Sequence, residues 1–382
     1  MDTNTWSWPI FHNMKKEKML RSAPRNLGID ALRCAAMLMI VCLHVMNRGG
    51  AAATARGTAV SLIMPLKVLA NCGVNLYALI SGWVLITGKF RPARIVELWL
   101  PVLFWNLLIA GVGTLMDPGC MEGFWLRYVF PLTQKCFWYF SAYVGVYAMT
   151  PILNPGICSL TPGQARAMVW AMLLLFGVGS ALGYAWQGDP WGIASGYSVL
   201  WLLALYVMGA CARRGGLLEN IPTRRLLFLA LGCMVLICSY KAFLGIMDQS
   251  VKFWQKQNIQ LLSYTSPLLT LLCLSLLLVF SRLRVRGWLA ALIRWLSGLT
   301  FGVYIIHVHH VIWVKLLDLF RPLGELPTLL VGPAIVLAAL GLLLGCAGLD
   351  WIRAVLFRTL RVRERLERLF RMNTVRMNET NQ

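Results

Sequence analysis

Charge is scarce in this chain. Of its 382 residues, 13% are Asp, Glu, Lys or Arg, against about 25% in a soluble globular domain. Acid is scarcer than base, with 15 Asp and Glu against 36 Lys and Arg. So few charges cannot clothe a water-facing surface of this size, which excludes an ordinary soluble domain. Histidine is rarer still, at 5 residues. No CxxC pair and no Cys/His cluster with zinc spacing occurs, so no metal site is expected. The 11 cysteines fall mostly inside apolar runs, where Cys serves as a small hydrophobe. A disulfide between Cys120 and Cys136, which flank one loop, stays open. The chain has no Walker loop, GxGxxG, GxSxG or HExxH, and so no signature of an ATPase, dehydrogenase, α/β-hydrolase or zincin. Internal repeats and low-complexity segments are also missing.

What the chain does have is apolar length, with 58% of its residues hydrophobic. A hydrocarbon core of ~30 Å takes about 20 apolar residues per helical crossing. Ten such segments can be placed, near 28–47, 60–87, 95–115, 137–153, 166–185, 196–212, 224–244, 261–281, 292–315 and 327–350. The expected fold is all-α: a polytopic membrane bundle of about ten transmembrane helices. With the N-terminus placed inside, 25 of the 36 Lys and Arg fall on cytoplasmic segments and 10 on outer ones, and Arg33 lies within the first span. That bias predicts cytoplasmic N and C termini. It also accounts for the net charge of +21 without nucleic acid as a partner. Membrane lipids are the expected surroundings of such a multi-pass protein.

The chain then divides into a cytoplasmic tail over 1–27, a transmembrane domain over 28–350 and a basic cytoplasmic tail over 351–382. About 28 mixed residues precede the first span with no cleavage site after it, so that span reads as a retained anchor. From Arg353 to Arg371 the tail alternates Arg with Leu, Val and Phe, which reads either as a basic anchor of the topology or as an amphipathic helix on the inner leaflet.

The first span, GIDALRCAAMLMIVCLHVMN, places Asp30, Arg33 and His44 in apolar surroundings. Ionisable groups at membrane depth are costly and default to function. Eleven residues make about three helical turns, which puts Arg33 and His44 on one face, about 16.5 Å apart along the axis. Asp30 sits one turn below Arg33, at ion-pair spacing. His44 is a proton acceptor near neutral pH, and Arg33 suits phosphate or carboxylate. In the second span, Gly73 and Gly82 suit close helix packing, while Asn75 needs a partner at depth. Lys89, Arg91 and Arg94 follow that span and suit either a polyphosphate ligand or plain positive-inside charge. Residues 137–151, FWYFSAYVGVYAMTP, read as an interfacial aromatic belt. His307, His309 and His310 cluster near the ninth span's outer end, but His307 and His309 fall on different helix faces. No His is followed five positions later by Asp, so the HxxxxD arrangement of glycerolipid acyltransferases is missing.

In order along the chain, these stretches resemble the acyltransferase-3 family of bacterial membrane proteins. The first span carries that family's Arg-x10-His spacing at Arg33 and His44, led by Asp30-Ala-Leu-Arg33. Ile80-Ser81-Gly82-Trp83-Val84-Leu85 resembles its ISGYLL-like stretch, with Trp in place of Tyr. Arg91, Arg94 and Pro101 match the basic stretch that follows. Residues 137–151 and Phe301–His307 match its later LWFLYALIGLYLLTP-like and FGIYLIH-like segments. Leu76-Tyr77-Ala78 departs from the family's usual aromatics.

The resemblance implies transfer of an acyl group, usually acetyl, from cytoplasmic acyl-CoA to a hydroxyl of an envelope glycan or lipid-linked saccharide. It implies a stand-alone enzyme, of the kind that acetylates O-antigen, exopolysaccharide or enterobacterial common antigen. Acetyl-CoA is then the co-substrate. Asp30 would orient Arg33, and Arg33, Arg91 and Arg94 would hold the CoA phosphates, with Ser81 beside the donor. His44 would act as general base or pass the acyl group itself. Backbone groups near Ser81 or Asn75 are candidates for holding the oxyanion. The rival reading is a transporter or flippase of a lipid-linked sugar or small molecule, although no paired broken helices mark the two halves of the chain.

Overall fold

The structure is a computed structural model describing residues 25–121, 129–132, 137–186, 188–247, 251, 255–257 and 260–379. It is all-helical, with no strand among the described residues. Helices stand at all ten predicted segments. They are α1 (Leu27–Asn47), α2 (Thr58–Leu85), α3 (Ala93–Met116), α4 (Trp138–Ser159) and α5 (Pro162–Met172, a π-helical turn Leu173–Val178, and Gly179–Trp186). The second five are α6 (Val199–Gly215), α7 (Thr223–Ile246), α8 (Pro267–Ser281), α9 (Gly287–Val308) and α10 (Thr328–Thr359). A terminal helix, α11 (Val362–Glu379), follows. Seven of the described helices are long and apolar enough to cross a membrane, and α8 is a shorter apolar one.

Residues 1–24 of the predicted N-terminal tail and Cys136 of the candidate disulfide lie outside the described residues.

Burial separates centre from periphery. In their most apolar stretch, α1 is 67% and α2 61% buried, against 22% for α5 and α7 and 28% for α3 and α10. The outer helices present Leu115, Ile246, Trp288 and Leu329 outward, as a lipid-facing surface does. The middle is apolar and aromatic, with Leu32, Leu76, Trp201 and Tyr206 fully buried.

Small residues set the central contacts. A Cβ at Gly82 would come within 1.9 Å of the Tyr206 carbonyl oxygen, so α2 and α6 meet backbone to backbone. A Cβ at Gly73 would lie 2.6 Å from the Ile40 side chain and 2.8 Å from the Ala36 carbonyl oxygen, so α2 also packs tightly on α1. Both glycines have the packing role expected of them.

α1 is fixed at its start. The Asn26 side chain accepts from the backbone N–H of Gly28 at 2.9 Å and Ile29 at 3.2 Å, a helix cap. Its amide donates to the Ser281 carbonyl at the end of α8, at 2.7 Å. Asp30 in the first turn complements the helix dipole.

Three expectations are corrected. The predicted ninth span, 292–315, breaks at His309, whose backbone turns extended (φ −57°, ψ 138°). The His309 Nδ1 accepts from the Val311 N–H at 3.3 Å and so caps a separate short helix, His310–Lys315. The tail helix does not begin at Arg353, because α10 runs through it to Thr359 before α11 starts. The aromatics of α4 are not only a belt, since Trp138 and Tyr139 turn inward to line a cavity.

Candidate active site

α1 carries the predicted charged residues at its two ends. Near its start, Arg33 Nη1 donates to Asp30 Oδ1 at 2.8 Å. The other carboxylate oxygen of Asp30 accepts from Arg25 Nε, and Arg25 Nη2 reaches Ser297 Oγ at 3.0 Å. Asp30 is buried, so the two cations supply the partners that a buried carboxylate needs. The Tyr77 hydroxyl of α2 donates to the Arg33 carbonyl at 3.0 Å. The two helices are thus antiparallel neighbours from Arg33 upward.

Eleven residues on, His44 meets His307 of α9, with His44 Nδ1 2.9 Å from His307 Nε2. His307 Nδ1 lies 2.6 Å from the Val303 carbonyl oxygen. A carbonyl only accepts, so His307 Nδ1 carries the hydrogen. In a neutral ring, His307 Nε2 is then a bare acceptor, and His44 Nδ1 donates to it. The lone pair of neutral His44 is left on Nε2. The Trp313 ring stands edge-on to His44, with centroids 4.7 Å apart.

His44 lines a cavity of about 310 Å³. Met37, Ile40 and His44 form its α1 wall, so it extends down α1 to one turn above Arg33. Aromatic rings make most of the remainder: Trp138, Tyr139, Tyr197, Tyr264, Tyr304 and Trp313. The arrangement joins a ring nitrogen with a free lone pair to an apolar, ring-lined chamber. Proton abstraction or acyl transfer at that nitrogen is the chemistry it can perform.

The family model of an acyltransferase domain matches residues 26–349, most of the chain. This chain belongs to the acyltransferase-3 family. Comparison with the curated proteins and with the solved structures finds no match. The family makes the protein a membrane acyltransferase, and it implies an acyl donor and an acceptor.

The acyltransferase's other predicted site residues divide. Asn75 is fully buried and spent: its Nδ2 donates to the Tyr264 carbonyl at 2.7 Å, and its Oδ1 accepts from Trp201 Nε1 at 3.2 Å. It ties α2 to α6 and to the backbone of Tyr264, a residue of the cavity wall. The Ser81 hydroxyl donates to the Tyr77 carbonyl one turn back, at 2.8 Å. Arg91 is ion-paired to Glu97 and, at 2.9 Å, to Glu367 of α11. Arg94 Nε is buried with no hydrogen-bond partner among the described residues. Among the described residues, no group of three His, Cys, Asp or Glu is placed to hold a metal ion.

Two features escaped the sequence reading. One is the His44–His307 contact between helices 263 residues apart. The other is Asp350, fully buried on α10. It accepts from Trp105 Nε1 at 2.9 Å and from Arg353 Nε and Nη2 at 2.7 and 2.9 Å. Gly302 makes room for it, because a Cβ there would strike the carboxylate at 1.9 Å. Asp350-Trp-Ile-Arg353 repeats the spacing of Asp30-Ala-Leu-Arg33, and that repeat is the signal that was available.

Proposed function

We propose that this acyltransferase moves an acyl group, acetyl in the simplest case, from acyl-CoA to a hydroxyl of a cell-envelope glycan or lipid-linked saccharide, with His44 as general base. The observation that carries the reading is His44 itself. It lines the cavity with Nδ1 engaged by His307 and Nε2 holding the lone pair.

The donor enters from the end where α1 begins, which the charge bias makes cytoplasmic. Arg33, oriented by Asp30, and Arg94 contact its phosphates. Arg91, whose charge is matched by Glu97 and Glu367, fastens α11 instead. Ser81, bonded back to its own helix, shapes the packing there. The pantetheine arm lies along the α1 wall past Met37 and Ile40, and the thioester reaches His44. The acceptor sugar stacks on the aromatic rings from the other side. His44 Nε2 takes the hydroxyl proton as the oxygen attacks the acyl carbon. The C–S bond breaks, and the leaving sulfur takes that proton from His44. The products are the ester and free CoA.

The test is release of free CoA by the purified protein in nanodiscs, with acetyl-CoA and a membrane glycan fraction. Glycan-dependent release is expected from wild type. Arg33→Ala should raise KM for acetyl-CoA, whereas His44→Ala should lower kcat by roughly 10²–10⁴, the usual worth of a positioned base. A transporter of lipid-linked sugar would release no CoA, and that result would sink the proposal.

A further inference from the structure

The reading of His44 as a base leaves open how a five-membered ring with two similar nitrogens offers the correct one. A neutral histidine carries one proton shared between Nδ1 and Nε2, and in water the Nε2–H form is the more common. That form would turn a donor toward the hydroxyl that His44 must deprotonate. Some group has to hold the proton on Nδ1.

Among the described residues, no acidic side chain is bonded to either the His44 or the His307 ring. Among the described residues, then, the usual histidine–aspartate arrangement is not found. The bonding chain instead runs through backbone. His307 is one turn beyond Val303 on α9, and its ring folds back so that Nδ1 lies 2.6 Å from that carbonyl. The carbonyl fixes the tautomer of His307, and His307 fixes that of His44 across 2.9 Å. His307 is fully buried, so no water competes for either nitrogen. Tyr304 packs near the His307 ring, with centroids 6.5 Å apart, and Trp313 packs edge-on against His44. These rings limit the swing of both imidazoles. Two histidines on different helices are thereby locked into one donor–acceptor direction whose origin is a peptide carbonyl.

We propose that His307 is a positioning residue of the acyltransferase: it holds the proton of neutral His44 on Nδ1 and presents the Nε2 lone pair to the cavity. The role rests on the proposed function of His44. It also stabilises the imidazolium formed during transfer, because His307 Nε2 still accepts from Nδ1–H after Nε2 has taken the hydroxyl proton. No atom is gained or lost along the chain. Substrate never touches His307, so it acts only through His44.

The test combines a tautomer readout with kinetics. Protein labelled with ¹⁵N-histidine contains only 5 such residues, and His44→Gln and His307→Gln spectra identify the pair. Wild type should show His44 with a protonated Nδ1 and a bare Nε2. His307→Leu removes the acceptor and should move the proton to Nε2. It should also lower kcat by the order of 10²-fold, within the 10²–10⁴ that a base contributes, with KM for acetyl-CoA unchanged. His307→Gln places an amide oxygen near the lost Nε2 and should recover both the tautomer and most of kcat. A wild-type spectrum with the proton on His44 Nε2 overturns the proposal without any variant. So does a His307→Leu enzyme within threefold of wild type while His44→Ala is inactive, an outcome that leaves His44 standing as the base. If His44→Ala is itself active, both readings fall.

Discussion

Asp350 sits where a charge is most expensive to leave alone. It is fully buried, Arg353 beside it is 12% exposed, and Trp105 completes the set at 2.9 Å. Three helices, α3, α9 and α10, converge there. Removing one member of a buried ion pair costs about 3–5 kcal/mol, because the other charge stays behind unpaired. Replacing both by neutral groups of similar shape is often close to neutral. The singles Asp350→Asn and Arg353→Met should therefore each lower unfolding free energy by about 3–5 kcal/mol. Asp350→Asn keeps the acceptor for Trp105 and should fall at the mild end. The double variant should be more stable than either single, so the coupling runs against additivity. Equilibrium unfolding in mixed micelles measures all four proteins. If the two losses simply add, or if Asp350→Asn costs nothing, the network is not the clamp described.

Other outcomes follow from single contacts. Gly82→Val puts side-chain atoms where the Tyr206 carbonyl already lies 1.9 Å from an ideal Cβ, and it should cost about 1–3 kcal/mol or more, seen as loss of monodisperse protein in detergent. Asn75→Leu strands the Trp201 N–H and the Tyr264 carbonyl, at about 1–3 kcal/mol for each buried group; equilibrium unfolding reads the loss. Arg91→Ala breaks part-exposed pairs worth ~1 kcal/mol or less. It should leave KM for acetyl-CoA unchanged and make α11 more accessible to protease. A rise in that KM would restore Arg91 to the donor site.

Much of the fold was legible because helix placement here is a one-dimensional property. Apolar length marks most of the helices, the placing of α4 and α6 leans on the charge pattern, and the Asp30–Arg33 pair follows from i,i+3 spacing on a single helix. The break at His309 was hidden, because a side-chain cap from His309 Nδ1 to the Val311 N–H interrupts a stretch that hydropathy reads as continuous. The site was half legible for the same reason. Arg33 and His44 share one helix face, so counting residues relates them. His44 and His307 share no segment, and no periodicity could pair them across 263 residues. Ser81 and Asn75 look chemically available as letters, and their hydrogen bonds become visible only once Tyr77, Trp201 and Tyr264 are placed around them. Arg91 reads as free positive charge until α11 brings Glu367 to it.

The central claim is that His44 drives acyl transfer to a hydroxyl. Its most direct measurement is transfer of ¹⁴C-acetyl from acetyl-CoA into alkali-labile ester on a membrane glycan fraction. Wild type and His44→Ala in nanodiscs are compared at equal amounts of folded protein. The account predicts label in the glycan with wild type and a loss of roughly 10²–10⁴ with His44→Ala. Equal labelling by the two proteins would contradict it.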